Sequence, residues 1–194
     1  ASGSPYAGIG LSREMVTIIS CELPLVLVLL AVGKVAGGDS VTFSMSNIVK
    51  FQLDNGSLIT HASLIPAAIA FLLIIPGETG SHPFDTAEAE TEICEGLLAE
   101  YSGGPLAVFK LTNSIKLLTM TSLFTALFLG GIGVGIPAVD ALIMFAFSVV
   151  ITIVTVSLVH AVTARLKIEQ VFKYYWTIVT ALALVSLVMA WYGL

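Results

Sequence analysis

The chain has 194 residues, 57% of them hydrophobic and 11% charged, with a mean hydropathy of +1.00 and a formal net charge of −5. An average soluble domain carries roughly 25% charged residues, so the composition argues against a water-soluble globular protein, and the acidic balance argues against a nucleic-acid partner. Uncharged stretches of about 20 residues recur, each long enough to cross roughly 30 Å of hydrocarbon at 1.5 Å per residue.

In chain order, the apolar stretches fall at about Leu11 to Val32, Leu58 to Pro76, Pro105 to Leu129, Ala138 to His160 and Tyr174 to Tyr192. They predict five spanning helices: an all-α, polytopic membrane protein in which residues 1–194 form one membrane domain. Between the first two spans, Gly33 to Ser57 is polar, and Ser46 to Leu53 predicts a turn or two of amphipathic helix at the interface. The chain opens on Ala1 with no basic segment before a short apolar stretch, so no signal peptide is expected and a missing N-terminal portion is. Cys21 and Cys94 lie far apart with no CxxC spacing, so no cluster or structural zinc is expected from this chain, and both read as packing residues.

Glu22 stands deep in the first helix, in S-C-E-L-P, just before Pro24, which removes a backbone hydrogen bond. An acid at that depth either pairs with a bundle lysine or a freed backbone group, or lies on an ion or proton route. Lys110 and Lys116 of the third span project to nearly opposite faces. Lys110 reaches the interface by snorkelling, whereas Lys116 is deep enough to seek an acid. Asp140 opens the fourth helix, where a carboxylate suits the positive end of the dipole.

Seven of the thirteen acids lie between Glu78 and Glu100, in the loop 77–104. Asp85 reads as an N-cap with Glu88 three residues on, and Gly96 would weaken or end the run. The expected helix carries Asp85, Glu88, Glu92 and Glu95 on one face and turns Glu90 away. No lysine or arginine is local. Either a basic partner surface covers these acids, or they are partly buried and several hold protons at neutral pH. The bland alternative is a solvated acidic helix without chemistry. His61, His82 and His160 are isolated in sequence and predict no metal site; His82 beside the acids either relays a proton or simply hydrogen-bonds within the loop. Lysine and arginine bias sets orientation: Arg13, Arg165, Lys167 and Lys173 share the loop's face, against Lys34 and Lys50 on the other, which places the acidic loop in the cytoplasm.

Several segments in order resemble a known family, the membrane subunit joining the peripheral redox arm to the membrane arm in respiratory complex I and in energy-converting group 4 nickel-iron hydrogenases. S-C-E-L-P at Ser20 to Pro24 is similar to the family's S-Y-E-x-P. H-P-F-D-T-A-E-A-E-T-E at His82 to Glu92 is similar to its P-F-D-x-x-E-A-E-x-E, and A-E-Y-S-G at Ala99 to Gly103 to its E-Y-S-G. R-L-K-I-E-Q at Arg165 to Gln170, followed by Trp176, resembles the family's R-x-R-x-D-Q. The resemblance implies that the chain is the last five of about eight helices, and that Glu22, Asp85, Glu88, Glu90, Glu92 and Glu100 belong to an acidic passage linking redox chemistry to ion translocation. Glu95 joins that set by helical spacing and Lys116 by depth, with His82, Lys110, Arg165 and Glu169 as pairing or relay groups.

G-S-H-P-F-D lacks the arginine that quinone-reducing members carry before P-F-D, and lysines stand in F-K-L-T-N-S-I-K-L where those members carry an acid. That pattern is similar to a group 4 hydrogenase anchor. What it implies is a non-catalytic subunit of an ion-translocating, ferredoxin-dependent, hydrogen-evolving complex in a prokaryotic plasma membrane. The chain itself would hold no cofactor. Nickel-iron and iron-sulfur centres would sit in peripheral partner subunits, with antiporter-like subunits alongside in the lipid. The alternatives are a quinone- or sulfur-reducing complex, a free-standing secondary transporter, or a purely structural anchor.

Overall fold

Pro5 at a position that needs no amide hydrogen opens α1, which runs unbroken from Pro5 to Gly37. The computed structural model describes residues 4–38, 40–88, 93, 96–98, 101–133 and 137–193, with the side chains of Leu97 and Pro137 excepted. Thirty-three residues at 1.5 Å each give about 50 Å of helix, more than the hydrocarbon needs, so the ends of α1 reach past it. Pro24 lies buried inside without ending the helix. At the far end the chain folds back so tightly that the Thr42 amide donates to the Gly33 carbonyl at 3.0 Å. A side chain on Gly33 would strike the Thr42 carbonyl, which explains the small residue there.

Helix α2 covers Met45–Asn55, longer than the turn or two expected from Ser46 to Leu53. Its buried Gln52 donates to the carbonyls of Ala126 and Leu127 at 2.9 and 3.1 Å and accepts from the Gly131 amide at 3.2 Å. One side chain thus closes the C-terminal end of another helix, where backbone carbonyls lack partners.

After two short 3-10 turns, Leu58–Thr60 and Ala62–Leu64, helix α3 runs Ile65–Glu78 through the middle of the bundle. It continues past Pro76, where the sequence pattern ended, and this places Glu78 in its last turn. Helix α4, Gly104–Phe128, has its buried residues in its second half, where Phe124 and Phe128 meet Phe71 of α3 at ring separations of 5.7 and 6.2 Å. Helix α5 runs Pro137–Thr152 and widens to π geometry over Ile153–Leu158 before closing at Val159–Val162. Helix α6 starts at Ile168–Lys173, widens again over Tyr174–Val179, and continues as Thr180–Tyr192.

Three of these helices, Pro5–Gly37, Ala138–Val162 and Ile168–Tyr192, are long and apolar enough to cross a membrane, and Ala62–Glu78 is a shorter apolar helix. Gly104–Phe128 has the length, but Lys110, Asn113 and Lys116 interrupt its first half. The all-α, polytopic membrane architecture follows. Lipid supplies no hydrophobic drive between helices, so close packing and interhelical hydrogen bonds hold them. Ser186 donates to the Ser63 carbonyl at 2.7 Å, and Tyr175 to the Leu73 carbonyl at 3.0 Å.

Candidate functional site

Polar side chains gather where α1, α3 and α4 meet the loop after Glu78. Glu78 Oε2 faces Lys116 Nζ at 3.4 Å, while its Oε1 is buried with no hydrogen-bond partner among the described residues. Around the pair lies a small polar pocket of about 40 Å³, lined among others by Glu14, Asp85, Glu88 and Asn113. That volume has room for roughly one water.

The loop is held by contacts from three directions. Ser81 donates its amide to the Pro76 carbonyl at 2.9 Å, and Leu166 to the Pro83 carbonyl at 3.2 Å. Phe84 packs its ring on Tyr174 and Tyr175, at 5.7 and 5.2 Å. Asp85 Oδ2 meets Arg165 Nη2 at 2.7 Å. On the α1 side, Arg13 donates to the Thr86 carbonyl at 3.4 Å and the Thr17 and Thr86 hydroxyls lie 3.3 Å apart.

These anchors hold Asp85 out of the helix start expected there: residues 82–84 and 86–88 are turns and bends, so Asp85 does not cap the next residues or stack under Glu88, and the rest of the expected helix, apart from Ile93, lies outside the described residues. The local capping pattern was sound, but the carboxylate is engaged by Arg165 and the backbone by Pro76, Leu166 and Arg13. Helical geometry appears at Ile93, and Gly96, at a φ of 47°, enters a 3-10 turn Gly96–Leu98. Glu90, Glu92, Glu95 and Glu100, with Cys94, lie outside the described residues.

The remaining residues scatter. Glu22 is exposed on α1 and makes no polar contact among the described residues. Lys110 is exposed on the uncovered half of α4. Glu169 lies in the first turn of α6, and Asp140 in the first turn of α5. Sequence distance concealed one meeting: the rings of His82 and His160 pack edge to face at 4.7 Å. Glu78, Glu14 and Asn113 were not singled out from sequence. The available signal for Glu78 was that a deep Lys116 needs an acid, and Glu78 ends the neighbouring apolar helix.

Gly77, beside Glu78, lies against Tyr175 and Cys21, and a Cβ there would meet the Tyr175 hydroxyl and Cys21 Sγ. Cys21 is fully buried, as a packing residue should be.

A family model described as NADH dehydrogenase matches residues 1–191. The chain belongs to this family. As an NADH dehydrogenase family member it is 33% identical over 184 residues to NADH-quinone oxidoreductase subunit 8 of Thermus thermophilus, which covers 95% of this chain and 48% of that relative. It is 41% identical over 128 residues to hydrogenase-4 component C of Escherichia coli, covering 66% of this chain and 39% of the relative. Its fold matches a chain of the membrane-bound sulfane sulfur reductase, an archaeal respiratory membrane complex, with a TM-score of 0.87 and 30% identity over 97% of this chain and 62% of that one. The chain spans about half the length of the curated NADH-quinone oxidoreductase relatives it matches. Family membership makes it a membrane-embedded subunit of the complex I-like and hydrogenase-4-like class, whose members work in multisubunit respiratory complexes.

Proposed function

We propose that this chain is the membrane-anchoring and energy-coupling subunit of an ion-translocating, ferredoxin-dependent, hydrogen-evolving complex. The observation that carries the coupling role is the polar pocket, where Glu78 offers one oxygen to Lys116 and, among the described residues, keeps the other without a hydrogen bond. A carboxylate so placed accepts a proton at the free oxygen without breaking the ion pair first. Membrane-buried ionisable residues are costly and accordingly mark ion or proton routes.

In this reading a change of charge in the peripheral redox subunit, docked on the cytoplasmic acidic loop, moves a proton among Glu88, Asp85 and Glu78. The lysine responds, and the shift passes toward Glu22 and the neighbouring antiporter-like subunits. Glu90, Glu92, Glu95 and Glu100 add four more acids to the loop by sequence, and the nickel-iron and iron-sulfur centres belong to partner subunits. The 41% identity to hydrogenase-4 component C favours hydrogen evolution. The fold match to the sulfane sulfur reductase favours a second reading, sulfur reduction.

Both are tested in the assembled complex reconstituted in vesicles. Glu78→Gln is expected to lower the ion gradient formed per electron pair several-fold while the peripheral arm keeps its turnover; an unchanged ratio overturns the coupling role. Offering protons with reduced ferredoxin, polysulfide and quinone in parallel decides the acceptor.

A further inference from the structure

A second feature lies on the other side of the loop. Between α3, α5 and the connector before α6 runs a cleft of about 380 Å³, lined by Leu72, Leu73 and Pro76, by Val154 and Val159, and by Leu166. Two threonines also line it, but their hydroxyls are already engaged: Thr155 donates to the Ile151 carbonyl at 2.8 Å and Thr163 to the Val159 carbonyl at 2.7 Å. The cleft is therefore apolar in effect. Its outer wall is α5, whose Val154, Leu158 and Val162 are 50%, 56% and 77% exposed.

The mouth has the opposite character. Pro83 and Val159 line the cleft, and the next residues along the chain, His82 and His160, bring their imidazoles together at 4.7 Å. His82 Nδ1 is buried with no hydrogen-bond partner among the described residues. The Pro83 carbonyl is tied to the Leu166 amide, and Lys167 is the next residue along the chain. Lys167 is exposed and has no ion pair among the described residues. The nearby carboxylate of Asp85 is already held by Arg165.

We propose that this cleft seats one anionic phospholipid, with an acyl chain among Leu72, Val154 and Leu166 and its phosphate beside His82, His160 and Lys167. Imidazole N–H and ammonium groups are donors to phosphate oxygens, and such charge-assisted bonds are the strong ones. Basic pockets between transmembrane helices are where acidic headgroups bind. A neutral quinone head would leave the lysine unused. The site is independent of the coupling role, although its lipid would brace Pro83 and Phe84 directly beneath Asp85.

The test uses the whole complex, delipidated in detergent, incubated with phosphatidylglycerol or phosphatidylcholine, and assayed for retained lipid by mass spectrometry after gel filtration. Wild type is expected to retain more phosphatidylglycerol than phosphatidylcholine. Lys167→Glu, a surface change compatible with assembly, is expected to weaken retention of phosphatidylglycerol at least about fivefold, given about 1 kcal/mol per basic residue near an anionic lipid. Ala164→Trp, which fills the cleft wall, is expected to lower retention of both lipids. Equal retention by wild type and Lys167→Glu overturns the proposal whether or not Ala164→Trp assembles. So does a map of the complex showing a quinone or a partner segment in the cleft.

Discussion

Asp85 and Arg165 hold each other at 2.7 Å across the bundle end, joining a loop that follows α3 to the connector that precedes α6. The pair is more than a surface salt bridge, because the Asp85 side chain is only 15% exposed while Arg165 is 36% exposed. Removing the cation leaves a largely buried carboxylate uncompensated.

Arg165→Gln is expected to cost about 1–3 kcal/mol, above the 0–1 kcal/mol typical of exposed pairs. Protease nicking between residues 82 and 88 should quicken in the assembled complex, and the exchanged pair Asp85→Arg with Arg165→Asp should recover part of the protection. Nicking at the wild-type rate would show that Pro83 and Phe84 hold the loop unaided.

Lys116 and Glu78 should behave as a unit. Lys116→Met leaves the largely buried Glu78 carboxylate, only 11% exposed, without its cation, so it is expected to depress ion translocation at least as much as Glu78→Gln. Adding Glu78→Gln to Lys116→Met should do little further harm, because partners in one pair are not additive. Multiplicative losses in the double variant would separate the two residues.

Gln52 gives a prediction with a sign. Gln52→Leu removes the donor to two carbonyls and the acceptor for Gly131, at about 1–3 kcal/mol. Gln52→Glu keeps the acceptor but turns a carboxylate toward the Ala126 and Leu127 carbonyls, so it should melt at a lower temperature than Gln52→Leu at neutral pH. Acidification should narrow the gap, since a protonated carboxyl regains one donor. Thermal melts of the detergent-solubilised complex at two pH values measure this.

Gly77→Ala is expected to destabilise by about 1–3 kcal/mol through overpacking against Tyr175 and Cys21. Tyr175→Phe in the same background removes the nearest atom and should return part of the loss, read as a rise in melting temperature.

The helices were legible because long apolar runs have one stable form in lipid, where every backbone group must be satisfied internally. Boundaries were not: α3 passes through Pro76, which gives up only the one bond back to Leu72, and ends at Glu78. The acidic loop was legible in composition, but not where its helix begins, since residues 86–88 are turns and a bend. Asp85 and Glu88 carry a sound capping pattern, but Arg165, Leu166 and Tyr174 come from the far end of the chain, and no local rule sees them. The same distance hid the contact of His82 with His160 and the partner of Lys116. Residues that meet through tertiary folding leave, in a single sequence, only their unmet needs as a sign.

The wide turns at Ile153–Leu158 and Tyr174–Val179 each accommodate more backbone per turn than the α-helical segments on either side. Deleting one residue inside either turn would let it tighten to ordinary pitch while everything beyond keeps its facing. The same deletion in Ile65–Glu78 would swing each later side chain by about 100°. Length variation among relatives should therefore be accommodated at these two slack points, which makes them the places where this bundle can gain or lose a residue and keep its grip on Leu73 and Ser63.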